Sequence, residues 1–240
     1  MGKKIYINPG HSDKDPGAVG YETERKLNVA VSKHMNDYLL ENFVCETKIT
    51  PGTMDSLTAI CNEANNWGAD LFVSNHFNAG GGDGYEALVY SQKRVPLGEI
   101  FAKYVKAAGQ NLRLYGAAPG VKIRTDLSVL ANTNMAAIAN EGAFVDNKTD
   151  IQDWDEDAEL KKLGEAYAKA AAEFLGLEKK VQQKSVYYVR YNTTLGPFAD
   201  KKTADELLAV LKANGRGHTV ADTAKSVELL RQFGFEVGLQ

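Results

Sequence analysis

The sequence predicts an α/β fold in which a twisted, mostly parallel sheet is flanked by helices on both faces. Short β-rich runs alternate with segments of helical periodicity over the first 177 residues, and this alternation is typical of parallel strands joined by helices. Hydrophobic residues make up 44% of the chain and charged residues 25%, which is ordinary for a globular protein. The chain contains no apolar run long enough to cross a membrane, so we expect no membrane insertion.

Each element is predicted from a local pattern. In the first helix, Leu27, Val31 and Met35 recur at helical spacing. The second strand ends at Pro51-Gly52 and the second helix at Gly68, residue types that favour turns and helix ends. The predicted strands comprise residues 4–9, 43–50, 69–78, 84–90 and 135–145. The predicted helices comprise residues 23–42, 57–68, 98–112 and 157–176.

The last sixty residues differ from the rest of the chain in charge. Residues 179–240 carry 10 basic and 6 acidic residues, a net charge of +4, whereas the remainder has a net charge of −7. A polar stretch is followed by a strand pattern, a helix pattern over residues 201–215 and further short strand and helix patterns. We therefore predict an α/β domain over residues 1–177, a linker over 178–185 and a small α+β module over 186–240.

Composition also argues against several functional classes. The net charge of −3 and the pI of about 5.9 do not suggest a nucleic-acid-binding protein. Cys45 and Cys61 are expected to be reduced thiols, and the absence of a CxxC pair argues against a cysteine-built zinc site. The apolar stretch near the N-terminus, Ile5–Ile7, is too short for the core of a signal peptide. We therefore expect synthesis in the cytoplasm.

Two of the four histidines lie where predicted strands end. His11 follows the first strand and His76 lies near the end of the third. Because ligands bind at the carboxyl ends of the strands in open parallel sheets, these two side chains are expected to converge. One such histidine alone is most simply structural, but two at matching strand ends favour a metal or catalytic site. His34, in the middle of a helix, and His218, in the C-terminal module, receive no such role.

Carboxylates could complete this site. Glu141 lies in an otherwise small and apolar strand, where a buried carboxylate needs a charged partner, either a metal site or an ion pair with Arg124. Glu22 and Glu24 open the first helix, and each could simply complement the helix dipole. Two histidines and one carboxylate with an open fourth position are a recurrent catalytic zinc arrangement, in which a further carboxylate can act as general base.

Four motifs, in this order and spacing, resemble the zinc-dependent N-acetylmuramoyl-L-alanine amidases of the amidase-3 type. They are NPGHSDKDPGAVG, ETERKLNVAV, SNHFNAG and NEGAFVDN, and the resemblance spans about residues 3–177. It implies one Zn²⁺ ion bound by His11, Glu24 and His76, with Glu141 as the catalytic glutamate. Glu24 is preferred over Glu22 because E-R-K-L-N matches the family's pattern.

The same resemblance implies the substrate and its neighbours. The substrate would be bacterial peptidoglycan, and the bond cut would join N-acetylmuramic acid to L-alanine. Asn78 falls on the asparagine beside the metal, and Arg124 is a candidate for binding a substrate carboxylate or carbonyl. The alternatives are a zinc peptidase acting on stem peptides and a wall-binding protein with a vestigial metal site.

The sequence departs from the family near the first histidine and beside the catalytic glutamate. Asn8 stands where the family has aspartate, Ser12-Asp13 where it has Gly-Gly, and Ala143 where it has the glycine before phenylalanine.

The C-terminal module loosely resembles SPOR-type peptidoglycan-binding repeats over about residues 186–220. This resemblance implies a cell-wall-binding function, and the alternative is a compact structural appendage. An amidase made in the cytoplasm would reach the wall after release, either by a holin, as a phage endolysin, or by lysis of the mother cell, as a sporulation autolysin.

Overall fold

The computed structural model describes residues 2–180 together with the strands β7 (Tyr187–Tyr191), β8 (Thr193–Thr194) and β9 (Val237–Leu239). The chain divides into two units, Met1–Lys180 and Val181–Gln240. The strands of the first unit are β1 (Lys3–Pro9), β2 (Cys45–Ile49), β3 (Leu71–Asn78), β4 (Glu86–Val89), β5 (Val121–Ile123) and β6 (Ala136–Phe144). Its helices are α1 (Glu24–Asn42), α2 (Leu57–Trp67), α3 (Val95–Ala108), α4 (Ser128–Ala131), α5 (Lys148–Ile151) and α6 (Asp157–Leu175).

The sheet of the first unit has the strand order β2-β1-β3-β6-β4-β5. β1, β2, β3 and β6 are parallel, whereas β4 runs antiparallel to β6 and parallel to β5. The predicted α/β class with a mostly parallel sheet is therefore confirmed. Because β4 is reversed, its first residue, Glu86, lies at the same sheet edge as the carboxyl ends of β3 and β6.

Alternating residues of the central strands enter two separate hydrophobic clusters, as the two-residue period of a strand requires. Ile7 and Val73 belong to the larger cluster, which also contains the buried faces of α1, α3 and α6. Tyr6, Phe72 and Ala137 belong to the smaller cluster, together with residues of α2 and α4. Helices thus cover both faces of the sheet, and within residues 2–180 the face of the smaller cluster is covered by the two shorter helices α2 and α4.

Local signals explain where the helices end. Ser56 caps α2 by accepting a hydrogen bond from the backbone amide of Ala59 at 3.3 Å. The helix stops at Gly68, which has a left-handed φ of 70°. Gly176 ends α6 in the same way, with a φ of 62°. Both glycines fall where the sequence predicts helix ends.

The boundary of the first unit is marked by backbone pairing. The amide of Val44 donates to the carbonyl of Glu178 at 2.8 Å, and the amide of Lys180 donates to the carbonyl of Asn42 at 2.8 Å. Residues 178–180 thus pair with the segment that follows α1. In the second unit, β7 pairs antiparallel with β8 and β9, and the predicted helix over 201–215 lies outside the described residues.

Two other expectations concern thiols and membranes. Cys45 is half-buried and Cys61 buried, and both are unpaired thiols. Within the described part of the chain, no helix combines the length and the apolarity needed to span a bilayer.

Candidate active site

The side chains of His11, Glu24 and His76 meet at the carboxyl edge of the sheet. Nε2 of His11 lies 2.9 Å from Oε2 of Glu24, and Nδ1 of His76 lies 2.8 Å from Oε1. One nitrogen of each histidine and one carboxylate oxygen of Glu24 all lie within 4.8 Å of one another. Glu24 is 5% exposed and the histidines are half-buried. The structure therefore brings together the three residues that the motifs single out.

Tight backbone packing makes this approach possible. His11 has a φ of 64°, the one positive value at a non-glycine position within the described residues, a conformation that is unfavourable for most side chains. A Cβ atom on Gly10 would lie 2.2 Å from Cε1 of His76. A Cβ atom on Gly17, whose φ is 67°, would lie 2.5 Å from Cδ2 of His11 and 2.6 Å from Oε2 of Glu24. Only glycine fits at these two positions.

A second layer of contacts orients the three side chains. Oδ2 of Asp15 lies 2.7 Å from Nδ1 of His11, so the ring turns its other nitrogen toward Glu24. The backbone amide of Ala18 donates to Oε2 of Glu24 at 2.9 Å. The Arg25 guanidinium donates to the carbonyl of Pro9 at 3.0 Å and so holds the end of β1. Such outer contacts fix the orientation of metal-binding side chains.

Sequence reasoning missed these supporting residues. The signal that was available is the Asp15-Pro16-Gly17 run, which is typical of a turn. The run fixes neither the contact of Asp15 with His11 nor the need for glycine at position 17. Both depend on the path of the loop around His11.

The electrostatics of the cluster favour a bound cation. Burial opposes ionisation of Glu24, but hydrogen bonds from His11 and His76 outweigh it and hold its pKa well below the usual range. The hydrogen bond to Glu24 raises the pKa of His11 to about 9, although burial opposes the shift. Glu24 thus stays ionised although it is buried. An ionised carboxylate between two imidazoles is a suitable set of ligands for a divalent ion.

Glu141 lies beside this cluster in the sheet. It is the register partner of His76 on β3 and of Glu86 on β4, so the three side chains lie on one face in a row. Burial raises the pKa of Glu141 to about 7, with the neighbouring acidic groups adding to the effect. The alternative ion pair between Glu141 and Arg124 is not formed, because Arg124 binds Asp126 through two hydrogen bonds of 2.8 and 2.7 Å.

Glu86 is a second carboxylate that the sequence analysis did not single out. It is 4% exposed, and its Oε1 lies 3.2 Å from Nε of Arg113. The two groups form an ion pair without a hydrogen bond between these atoms. Glu86 could not be foreseen because its position beside Glu141 depends on the reversed direction of β4.

A pocket of about 410 Å³ opens next to the cluster. Its polar lining residues are Asn8, His11, Ser12, Asp15, Asp55, His76, Ser128 and Glu141. Its apolar lining residues are Met54, Leu57, Ile60, Leu127, Val129 and Ala139. Of the predicted site residues, Glu24, Asn78 and Arg124 are not on its wall. Asn78 is half-buried at the end of β3 and accepts a hydrogen bond from the amide of Ala79 at 2.9 Å.

Solved structures share this fold. The catalytic domain of the N-acetylmuramoyl-L-alanine amidase CwlV from Bacillus (Paenibacillus) polymyxa var. colistinus matches with a TM-score of 0.66 at 23% identity, over 73% of this chain and 99% of that one. The N-acetylmuramoyl-L-alanine amidase from Clostridium difficile 630 matches with a TM-score of 0.65 at 21% identity, over 73% of this chain and 97% of that one. At these identities the likeness establishes the fold.

Sequence comparisons establish the family. The family model Amidase_3, described as N-acetylmuramoyl-L-alanine amidase, matches residues 5–173. The chain is 30% identical to the N-acetylmuramoyl-L-alanine amidase CwlM of Bacillus licheniformis, over 88% of this chain and 82% of that protein. It is 31% identical to the endolysin of Bacillus phage SPP1, over 75% of this chain and 69% of that protein. The chain therefore belongs to the Amidase_3 family and is an N-acetylmuramoyl-L-alanine amidase, an enzyme that acts on peptidoglycan.

Proposed function

We propose that the enzyme is zinc-dependent, that His11, Glu24 and His76 bind one Zn²⁺ ion, and that Glu141 acts as general acid and base. The observation that carries this proposal is the meeting of two imidazole nitrogens and a buried carboxylate within 4.8 Å beside a pocket that also contains Glu141. The reaction is hydrolysis of the amide bond between N-acetylmuramic acid and L-alanine.

The residues present fit zinc. Catalytic zinc sites use three protein ligands drawn from histidine, carboxylate and cysteine, with one position left for water or substrate. The cluster offers two histidines and one carboxylate, and the nitrogen of His11 that faces Glu24 is selected by the contact of its other nitrogen with Asp15. Gly10 and Gly17 leave no space for larger side chains beside the rings. These features support a preformed metal site.

A Zn²⁺ ion bound there would supply Lewis acidity, lowering the pKa of a water molecule and polarising the substrate carbonyl. The chain's own residues have separate tasks. Glu24 is held in place by its contacts with both histidines and by the amide of Ala18. Asp15 fixes the orientation of the His11 ring.

Glu141 is suited to moving the proton. Burial raises its pKa to about 7, the range in which a carboxyl group can both accept and return a proton near neutral pH. In the proposed reaction Glu141 removes a proton from the attacking water, whose oxygen bonds to the lactyl carbonyl carbon. The C–N bond then breaks, and Glu141 returns the proton to the nitrogen of L-alanine. The products are a lactyl carboxylate and a free peptide amine.

Asn78 and Arg124 remain proposed substrate-binding residues. Arg124 is paired with Asp126, whose side chain is 65% exposed, so a substrate carboxylate could replace this partner at the surface. The side-chain oxygen of Asn78 accepts a hydrogen bond from the backbone amide of Ala79. The side-chain NH₂ group of Asn78 is therefore the part that would bind substrate.

We also propose two finer assignments. Residues 1–177 form the catalytic domain, 178–185 the linker and 186–240 a module that binds the cell wall, as the net charge of +4 over residues 179–240 favours. The enzyme would be made in the cytoplasm and reach the wall after release. The matches to the SPP1 endolysin and to the sporulation-specific N-acetylmuramoyl-L-alanine amidase of Bacillus subtilis (strain 168) support release by a holin or by lysis of a mother cell.

Zinc dependence is tested by removing and restoring the metal. Purified enzyme is treated with a chelator, and lysis of purified walls is followed by turbidity. We expect lysis to stop and to return when about one equivalent of Zn²⁺ is added. Undiminished lysis in excess chelator would contradict the proposal.

A further inference from the structure

The sheet face that carries the reactive side chains has a second row of side chains next to them. His76 and Glu141 are register partners in the first row. Two residues earlier along each strand, Asn8, Ser74 and Ala139 form the next row. The rise of a strand places the two rows about 7 Å apart. Asn8 and Ala139 of this second row line the pocket, and we call this part of the lining its floor.

Asn8 has an unused polar atom in this floor. The residue is 2% exposed and lies on the pocket wall. Its side-chain amide donates to Oγ of Ser74 at 2.8 Å, whereas its Oδ1 is buried and has no hydrogen-bond partner within the described residues. A buried acceptor without a donor is unfavourable. A ligand with an N–H group in the pocket would satisfy it.

The rest of the pocket suits a partly apolar ligand. Besides Ser12, Asp55 and Ser128, the lining includes the apolar residues Met54, Leu57, Ile60, Leu127 and Val129, and no lysine or arginine lines the pocket. Leu57 is 51% exposed, so part of its apolar surface remains available to a ligand. A peptide segment offers N–H donors for Oδ1 of Asn8 together with apolar surface for these side chains.

We propose that Asn8 is a substrate-binding residue for the stem peptide, with its Oδ1 accepting a hydrogen bond from a peptide N–H on the far side of L-alanine. The inference rests on the proposed function and adds the orientation of the substrate. A separation of about 7 Å between the rows corresponds to two residues of extended peptide. Asn8 therefore reaches the second residue after L-alanine, while the scissile amide lies beside Glu141.

The test compares two soluble substrates on the full-length, zinc-loaded enzyme. The longer one is N-acetylmuramoyl-L-alanyl-D-isoglutaminyl-L-lysine, and the shorter one is N-acetylmuramoyl-L-alanine, which lacks the recognised N–H. Asn8→Leu should lower kcat/KM for the longer substrate about 10-fold, mainly through KM, as loss of one hydrogen bond predicts. The same variant should change the shorter substrate less than about 2-fold. Asn8→Asp keeps an acceptor oxygen of the same shape and should retain the preference for length.

A second pair of variants does not depend on the buried position. Leu57→Ala should lower kcat/KM for the longer substrate about 3-fold more than for the shorter one, as loss of part of an apolar contact predicts. Leu40→Ala removes a leucine of similar exposure, 39%, from α1 outside the pocket and should change neither substrate.

Three outcomes would overturn the inference. Equal losses on both substrates for Asn8→Leu and for Leu57→Ala would mean that these residues support the fold or the metal site. A wild-type enzyme without preference for the longer peptide would show that the pocket does not bind the stem peptide. The same would follow if the variants lost activity only on a substrate with a second sugar. A wild-type enzyme that cleaves neither substrate would instead contradict the proposed function, and the inference would fall with it.

Discussion

The Nε2 atom of His11 lies 2.9 Å from Oε2 of Glu24, and the other oxygen of the same carboxylate lies 2.8 Å from Nδ1 of His76. One buried side chain at the start of α1 therefore contacts residues from two different strand ends. Glu22, two residues earlier, instead pairs with Lys26 at 2.8 Å. Because Glu24 lies between the two histidines, we expect binding of the proposed Zn²⁺ ion to depend most on this residue.

Replacing Glu24 should remove the metal. Glu24→Gln keeps the size of the side chain but loses the charge, so we expect loss of stoichiometric zinc and a fall in activity of about 100-fold or more. Glu22→Gln is the matched control and should keep both. Metal content is measured by mass spectrometry of the purified proteins. Full zinc occupancy in Glu24→Gln would contradict a role as ligand.

Replacing Glu141 should separate chemistry from metal binding. Glu141→Gln should fold and keep zinc but lose roughly 100-fold or more in kcat, the range of general acid–base catalysis. Steady-state kinetics on a soluble muropeptide, together with zinc analysis, provide the measurement. Glu63→Gln, which alters a glutamate paired with Lys48 at 2.7 Å, should be close to wild type. Near-normal turnover in Glu141→Gln would assign the proton transfer to another group.

Gly17 and Gly68 form a matched pair for testing the packing around the ligands. Their φ values are 67° and 70°, so the backbone strain of alanine should be similar at the two positions, about 1–2 kcal/mol, and the close contacts at Gly17 should add to it. Only at Gly17 would the added Cβ meet His11 and Glu24; at Gly68 nothing lies within 4 Å. Gly17→Ala should therefore also weaken zinc binding, by about 10-fold or more. Unchanged zinc affinity in Gly17→Ala would show that the loop can shift to accommodate the added Cβ atom, which would contradict this prediction.

The affinity for zinc should rise with pH up to about 9. The hydrogen bond to Glu24 raises the pKa of His11 to about 9 in the metal-free protein, and a proton on this ring must leave before zinc can bind. Below that pKa the apparent affinity should increase about tenfold per pH unit, measured by competition with a chelator of known affinity. Asp15 also raises the pKa of His11, so Asp15→Asn should make the affinity level off at lower pH. A flat profile between pH 7 and 9 in the wild type would contradict this account.

The C-terminal module should bind walls. Residues 181–240 fused to a fluorescent protein should sediment with purified peptidoglycan, while residues 1–177 should cleave soluble muropeptides but lyse walls more slowly, because anchoring raises the local enzyme concentration. Tyr187, Tyr188 and Tyr191 are candidate glycan contacts, and replacing one that contacts the glycan with alanine should reduce sedimentation of the fusion. A fusion that stays in solution at low and at physiological salt is not a wall anchor.

Much of the fold follows from sequence patterns alone. The predicted helix over 157–176 is found at Asp157–Leu175 and the predicted strand over 135–145 at Ala136–Phe144, because hydrophobic periodicity and glycine stops are local signals. The convergence of His11 and His76 was also predictable, since both residues lie at the carboxyl ends of strands in a parallel sheet.

Other features depend on long-range pairing. The three residues of β5 (Val121–Ile123) are too few to show a hydrophobic period. The reversed direction of β4, which brings Glu86 beside Glu141, cannot be predicted from the residues of β4 themselves. The left-handed backbone of His11 is likewise set by the loop around it and not by the residue type.

Analysis of the cleavage products by mass spectrometry tests the central claim most directly. Purified peptidoglycan is digested with zinc-loaded enzyme, and the soluble and insoluble products are identified. The account predicts peptides that begin with a free L-alanine amine and glycan strands with free lactyl carboxylates, without new reducing ends. New reducing ends, or peptides that begin at any other residue, would contradict it.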